Sequence, residues 1–177
     1  MRIVGGIYKG RVLCPFEKIG VRPTSDMARE SLFNILQTRI LGAKFLDLFA
    51  GTGAVGIEAL SRGAKEVTLN DFGKESVALI KKNLEKLSIK DGVKVTSFDA
   101  VGLLRSGREK YDIIFLDPPY KSDLAKDVLS VVWSALEEDG IAILESETPF
   151  DGQVENLSVY DTRRYGKAHL TFFRKGE

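Results

Sequence analysis

Four consecutive residues, Asp117-Pro118-Pro119-Tyr120, carry the strongest chemical signal in the chain. They follow an apolar run, residues 111–116, that is typical of a buried strand. Proline lacks the N–H that a strand ladder needs, so the strand must end at Asp117. The carboxylate is therefore expected at the C-terminal end of a strand, where open α/β sheets bind their ligands.

These residue types suit the activation of an exocyclic amine on a nucleobase. Such an amine is a poor nucleophile because its lone pair is delocalised into the ring. A carboxylate from Asp117 and the Pro118 carbonyl, held rigidly by Pro119, can accept its two N–H groups and favour the reactive pyramidal form. Tyr120 can stack on the base. A simple turn with a surface tyrosine is the alternative. The tetrapeptide resembles the motif of S-adenosylmethionine-dependent amino-methyltransferases, which implies that cofactor.

A second signal lies upstream, where an apolar strand runs into a glycine-rich loop and a helix. The spacing Gly51-x-Gly53-x-x-Gly56 matches the dinucleotide fingerprint, and Asp71 lies where that fingerprint has its ribose-binding acid. An NAD-dependent dehydrogenase is therefore the runner-up. Asp47 argues against it, because a carboxylate beside a pyrophosphate is unfavourable, whereas it suits the ammonium and sulfonium of S-adenosylmethionine. The predicted cofactor contacts of this loop are Asp47, Phe49, Ala50, Gly51, Thr52 and Gly53.

Two further strand ends complete the predicted cofactor pocket. Asp71 can accept both ribose hydroxyls, and Phe72 can cover the adenine. Asp99 closes a third strand, where a helix N-cap is an equally good interpretation. In class I methyltransferases, an acid at this place accepts from the adenine amino group, and a backbone N–H, here that of Ala100, contacts the ring.

Strands alternate with helices between residues 45 and 145, which predicts a mostly parallel sheet with helices on both faces. The fold class is α/β and Rossmann-like, and its resemblance to class I methyltransferases implies seven strands, the last ones forming an antiparallel hairpin. Glycines punctuate residues 1–14, which predicts a small N-terminal β-hairpin. We expect residues 1–20 to form an arm of the same domain and residues 21–177 to form the methyltransferase domain.

Charge is distributed unevenly along the chain. Residues 1–45 hold eight basic and three acidic residues, residues 46–151 hold thirteen and nineteen, and residues 152–177 hold five and three. Basic ends around an acidic middle predict that the ends grip a polyanion such as RNA. Uneven surface charge without a partner is the alternative. The candidate RNA contacts from this pattern are Arg2, Lys9, Arg11, Arg163 and Arg164.

Length and composition argue against a membrane-spanning, a disulfide-bonded or a metal-binding protein. The chain has 177 residues, 44% of them hydrophobic, which predicts one globular domain. No apolar run approaches the ~18 residues of a membrane span. The single cysteine, Cys14, cannot form an intrachain disulfide, and together these features predict a cytoplasmic protein. His169 is the only histidine, and no metal site is expected.

The N-terminal third resembles the bacterial RsmD family. The matching residues are Arg22-Pro23-Thr24-Ser25-Asp26, then Arg29-Glu30 and Phe33-Asn34, and the start Arg-Ile-Val-Gly-Gly-x-Tyr-Lys-Gly-Arg. The resemblance extends from residue 1 to about 174 and implies methylation of a guanine N2 in 16S rRNA. It implies that Arg22, Thr24, Asp26 and Arg29 help shape the cofactor and substrate pocket. It further implies 16S rRNA as the partner, free or in the assembled small subunit, and a monomeric enzyme.

Rival functions share part of this pattern. An adenine-N6 methyltransferase acting on RNA or DNA has both motifs, although a DNA enzyme usually needs a recognition domain that this length hardly allows. A glutamine-N5 protein methyltransferase usually has Asn in place of Asp117. An NAD-dependent dehydrogenase does not account for the Asp-Pro-Pro-Tyr motif, and a non-catalytic RNA-binding module does not account for the acids at the strand ends.

Overall fold

The computed structural model describes residues 1–16, 24–119 and 123–176. Its helices are α1 (Asp26–Ile35), α2 (Ala54–Ser61), α3 (Lys74–Lys86), α4 (Ala100–Arg105) and α5 (Leu124–Val132), with 3₁₀ turns at Leu36–Thr38 and Trp133–Ala135. Its strands are β1 (Lys44–Asp47), β2 (Glu66–Asn70), β3 (Val93–Thr96), β4 (Tyr111–Leu116), β5 (Leu136–Ser146), β6 (Leu157–Tyr165) and β7 (Ala168–Lys175). In this part of the chain, no helix combines the length and apolarity that a membrane crossing needs.

The strands form one sheet in the order β3-β2-β1-β4-β5-β7-β6. The first five in that order are parallel to their neighbours, and β7 runs antiparallel to both β5 and β6. The predicted seven-stranded, mostly parallel sheet with a closing antiparallel hairpin is confirmed. The order reverses between β1 and β4, so the carboxyl ends of these strands form the crevice in which such folds bind ligands.

Helices cover both faces of the sheet, as predicted. One core cluster joins α1, α2 and α3 to alternate sheet residues such as Phe45, Phe115 and Ile143. The other joins α4 and α5 to the intervening residues, such as Leu46 and Leu116. Both sets are almost fully buried, as the two faces of a central parallel sheet require.

The N-terminal arm, here residues 1–16, docks on α2 and α3. A single antiparallel bridge joins Arg2 to Val12, so the predicted hairpin is present in reduced form. The arm is held by Ser61, which makes three hydrogen bonds to it, and by Glu58, whose carboxylate accepts from the Val4 and Gly5 N–H groups at 2.9 and 2.8 Å. Two strands alone are marginally stable, which explains why the arm needs this buried anchor. The division of one domain into an arm, residues 1–20, and a methyltransferase part, residues 21–177, stays a prediction.

Two element boundaries differ from the predicted ones. The apolar pattern predicts helix up to residue 138 and a strand from Gly140, but β5 already begins at Leu136. Leu136 is buried and pairs with Tyr111, and a register shift follows. The acidic residues 137–139 are exposed, so the sequence gives no sign that the strand extends through them. The basic run at residues 163–167 predicts a turn, but Arg163 and Arg164 lie within β6, an edge strand on which exposed polar residues are tolerated.

Candidate active site

Acidic side chains gather at the carboxyl edge of the sheet. Asp47 ends β1, and it pairs in register with Leu69 of β2 and Phe115 of β4. The other acids at this edge are Asp71 after β2, Asp99 after β3, Asp117 after β4 and Glu145 near the end of β5. The topology therefore brings together the four predicted acids and adds Glu145, which sequence reasoning assigned only to a strand.

The glycine-rich loop above this edge is mostly buried, and it is open on one side, at the partly exposed Gly51. Gly51 and Gly53 both have positive φ, at 55° and 81°, a conformation that glycine adopts without strain. A Cβ added at Gly51 would meet nothing within 4 Å, so this side of the loop can receive a ligand. The loop is fixed from behind by Asn83 of α3, which donates to the Thr52 carbonyl at 2.9 Å. The predicted loop residues therefore stay candidates for cofactor binding.

Asp47 lies beneath the start of α2. It is 1% exposed, and its Oδ2 accepts from the Gly56 N–H at 3.0 Å. Burial raises the pKa of Asp47 to about 7; the Gly56 hydrogen bond opposes this, and the charges of Asp71 and Glu145 add to it. The Asp47 carboxylate therefore already accepts a hydrogen bond from the first turn of α2, the place where dinucleotide-binding folds hold a pyrophosphate. This placement disfavours NAD and favours a cationic ligand.

Asp71 is oriented by two backbone groups. Its Oδ2 accepts from Gly51 at 2.9 Å and its Oδ1 from Gly73 at 2.8 Å. These bonds fix a half-buried carboxylate next to the open loop, which suits the predicted ribose contact. Phe72 is 76% exposed beside it and can cover a flat ring.

The end of β3 presents Phe98, Asp99 and Ala100. Asp99 caps α4, since its Oδ2 accepts from Gly102 at 2.7 Å, which confirms the N-cap interpretation. Phe98 is 50% exposed and was not predicted as a site residue, although its place directly before Asp99 was a usable signal. The adenine contacts of Asp99 and Ala100 stay predictions.

Asn70 is a site residue that sequence reasoning missed. Its amide nitrogen donates to the Leu48 and Phe98 carbonyls, both at 3.1 Å. Its oxygen accepts from the Thr96 hydroxyl at 2.8 Å and the Phe98 N–H at 3.0 Å. One buried side chain thus fixes the ends of three neighbouring strands. The signal was a polar residue at a buried strand position just before the predicted ribose acid.

Asp117 lies directly after β4, where the sequence predicts it. Its side chain is half-buried, Pro118 is buried and Pro119 is exposed, while Tyr120 lies outside the described residues. Burial raises the pKa of Asp117 well above its usual value, and the charges of Glu145 and then Asp47 raise it further. The group is a better proton acceptor than an ordinary aspartate.

Two predicted substrate residues are in fact internal. Arg29 is 0% exposed, so direct contact with RNA is wrong for this conformation. Its guanidinium donates to Asp26 at 2.9 Å and also to the Arg2 carbonyl, and it pairs with Glu58 at 3.5 Å. Thr24 is also buried and donates to Glu145 at 2.7 Å. Their role in shaping the pocket stays a prediction, and Arg22 lies outside the described residues.

The remaining basic candidates are at the surface. Arg2, Lys9 and Arg11 of the arm are exposed. Arg163 and Arg164 are exposed on β6. Arg164 is the register partner of His169 on β7, and His169 is in turn the register partner of Ser146 on β5. Since Ser146 follows Glu145, this basic pair lies at the same edge of the sheet as Asp117. Contact with RNA stays a prediction for all five.

Comparison with known proteins agrees with the geometry. The family model described as Conserved hypothetical protein 95 matches residues 1–174. The chain is 36% identical to Ribosomal RNA small subunit methyltransferase D of Escherichia coli over 88% of this chain and 76% of that one. It is also 36% identical to the protein of that name from Buchnera aphidicola subsp. Baizongia pistaciae, covering 98% and 91%.

The fold has a close counterpart among solved structures. The structure of yhhF from Escherichia coli superposes with a TM-score of 0.88 at 32% identity, covering 99% of this chain and 97% of that one. The sheet order, the acids at the strand ends and these matches lead to one conclusion. The chain belongs to the RsmD family of class I, S-adenosylmethionine-dependent methyltransferases.

Proposed function

We propose that this protein transfers a methyl group from S-adenosylmethionine to the exocyclic N2 of a guanine in 16S rRNA. The observation that carries the proposal is the placement of Asp117-Pro118 at the same sheet edge as Asp47 and the open glycine loop. The names of the relatives support ribosomal RNA of the small subunit as the substrate class. The guanine N2 rests on the family resemblance alone, because the Asp-Pro-Pro motif also suits other exocyclic amines.

Asp47, the loop residues 49–53, Asp71 and Phe72 would hold the cofactor. The buried carboxylate of Asp47 lies under the loop and provides negative charge for the cationic end of the ligand. Asp71 would bind the ribose, and the two exposed aromatic rings of Phe72 and Phe98 can flank the adenine. When bound, the cofactor provides the methyl group as a sulfonium.

Asp117 and the Pro118 carbonyl would accept the two N–H groups of the amine and direct its lone pair toward the methyl carbon. Methyl transfer is then a direct displacement in which the N–C bond forms as the S–C bond breaks, and no covalent enzyme intermediate is needed. The nitrogen loses one proton afterwards. The raised pKa of Asp117 suits it to accept that proton.

The exposed arginines would position the RNA. Arg163 and Arg164 lie beside the catalytic edge, and Arg2, Lys9 and Arg11 lie on the docked arm. Such side chains bind the phosphate backbone without reading sequence. We further propose that the enzyme acts as a monomer in the cytoplasm and that the small subunit is the context of its target.

Substituting Asp117 tests the proposal. Asp117→Ala should leave S-adenosylhomocysteine binding near normal, since the carboxylate faces the amine, and should lower kcat by about 10²-fold or more through loss of a preorganised partner. Asp117→Asn is the matched control, because it keeps an oxygen acceptor and should retain more activity than the alanine variant. Near-normal turnover of Asp117→Ala would overturn the assigned role.

A further inference from the structure

Glu145 lies beside Asp117 on the neighbouring strand. In the parallel pairing of β4 with β5, Phe115 is opposite Ile143 and Leu116 is opposite Leu144, so Asp117 and Glu145 are the next positions along each strand. Neighbouring strands lie about 4.8 Å apart. Phe115 and Ile143 share one core cluster, and side chains alternate along a strand, so Asp117 and Glu145 project from the same face.

Glu145 is buried and held in a defined orientation. It is 3% exposed, and its Oε2 accepts from the buried Thr24 hydroxyl at 2.7 Å. A carboxylate can accept several hydrogen bonds at once, because its two oxygens offer about four lone-pair sites. Burying such a group is costly unless hydrogen bonds or charges compensate it, and the Thr24 hydrogen bond is part of that compensation. The cofactor roles at this edge fall to Asp47 and Asp71, and no assigned role uses Glu145.

The chemistry of the target base provides a role for Glu145. On its Watson–Crick edge, guanine presents the N2 amine and, directly beside it, the N1–H donor. Adenine presents its N6 amine beside an N1 lone pair, which is an acceptor. We propose that Glu145 selects guanine by accepting its N1–H while Asp117 and the Pro118 carbonyl hold the N2 amine. This role rests on the proposed function.

The physical reason for selection is the cost of an unmatched pair. A carboxylate opposite the N1 lone pair of adenine places two acceptors against each other away from water, with no proton to share between them. Sites built to hydrogen-bond a substrate N–H reject analogues that lack it by far more than apolar pockets can. Asp117 would thus activate the N2 amine, and Glu145 would recognise the N1–H group next to it.

The test uses a synthetic RNA fragment that carries the mapped target as guanine or as 2,6-diaminopurine. The second base keeps the N2 amine but has an acceptor at N1. Wild type should prefer guanine in kcat/KM by about 10²-fold or more. Glu145→Gln should narrow that preference by about tenfold or more, because its amide can donate to the N1 acceptor. Glu147→Gln, on an exposed neighbouring residue, should leave the preference unchanged.

The outcomes separate the two proposals. A wild-type enzyme that places no N2-methyl group on the guanine fragment or on small subunits lacking the modification contradicts the proposed function itself. If the wild-type enzyme methylates N2 of guanine, and Glu145→Gln lowers kcat/KM for both bases by the same factor, Glu145 has a structural role and the inference is overturned. If Glu145→Gln does not fold, Thr24→Val replaces it, because it removes the bond that orients the carboxylate. An unchanged base preference in that variant would also overturn the inference.

Discussion

Asp47 should make the unliganded protein less stable as the pH rises. The pKa of its carboxyl is about 7 in the folded chain against an ordinary value of 3.8. Between these values the folded state holds a proton that the unfolded state has released, so the free energy of unfolding falls with increasing pH. Above pH 7 both states are ionised and the effect is complete. A difference of about three pH units corresponds to about 4 kcal/mol.

Asp47→Asn isolates this effect. Asparagine has the same shape and keeps an oxygen that can accept from the Gly56 N–H, but it does not titrate. Urea unfolding of both proteins between pH 4 and pH 8 should show the variant gaining about 4 kcal/mol relative to wild type over that range. Other titrating groups, including Asp117, contribute to both curves. Parallel curves for the two proteins would refute the burial of an ionisable Asp47.

Three further perturbations have defined outcomes. Arg29→Ala should destabilise the fold by about 3–5 kcal/mol in urea unfolding, because it removes a buried partner of Glu58. Gly56→Ala should cost about 1–3 kcal/mol and weaken S-adenosylhomocysteine binding in calorimetry, because an overpacked methyl must displace α2. That methyl would lie 2.2 Å from a side-chain carbon of β2. Replacing Arg163 and Arg164 by alanine should reduce the slope of log RNA affinity against log salt by about 1–2.

Matched controls accompany these experiments. Arg39 is exposed, and Arg39→Ala should change stability by no more than about 0.5 kcal/mol. Lys81 and Lys82 are exposed on α3, and their double alanine variant should leave the salt slope unchanged. An Arg29→Ala protein as stable as the Arg39 control would contradict the buried ion pair. Equal salt slopes for the two double variants would remove the case for the β6 arginines.

The positions of the catalytic and cofactor acids were predictable because they depend on local signals. Prolines end β4 at Asp117, and glycines mark the turn after β1. Once a parallel sheet is inferred from the alternation of strands and helices, its topology brings all carboxyl ends to one edge. No pairwise contact had to be known, so Asp47, Asp71 and Asp99 could be assigned to one crevice from the sequence.

The networks behind the site were not predictable in this way. Arginine is almost never fully buried, so the sequence, which places Arg29 near the substrate pocket, does not predict its complete burial. Its burial depends on Glu58 and on the arm, which only the tertiary fold brings to it. Asn70 likewise has its partners at the ends of two other strands, β1 and β3. Met27 fits an apolar helical stripe in the sequence yet is 61% exposed, because α1 turns a different face to the core.

The identity of the methylated nucleoside tests the central claim most directly. Small ribosomal subunits that lack the modification, and separately their protein-free RNA, would be incubated with the protein and methyl-labelled S-adenosylmethionine, and the labelled nucleoside identified by mass spectrometry. We predict label in N2-methylguanosine, absent with Asp117→Ala. Label in N6-methyladenosine, or no label in either RNA while S-adenosylhomocysteine still binds, would contradict the assignment of guanine N2 in 16S rRNA.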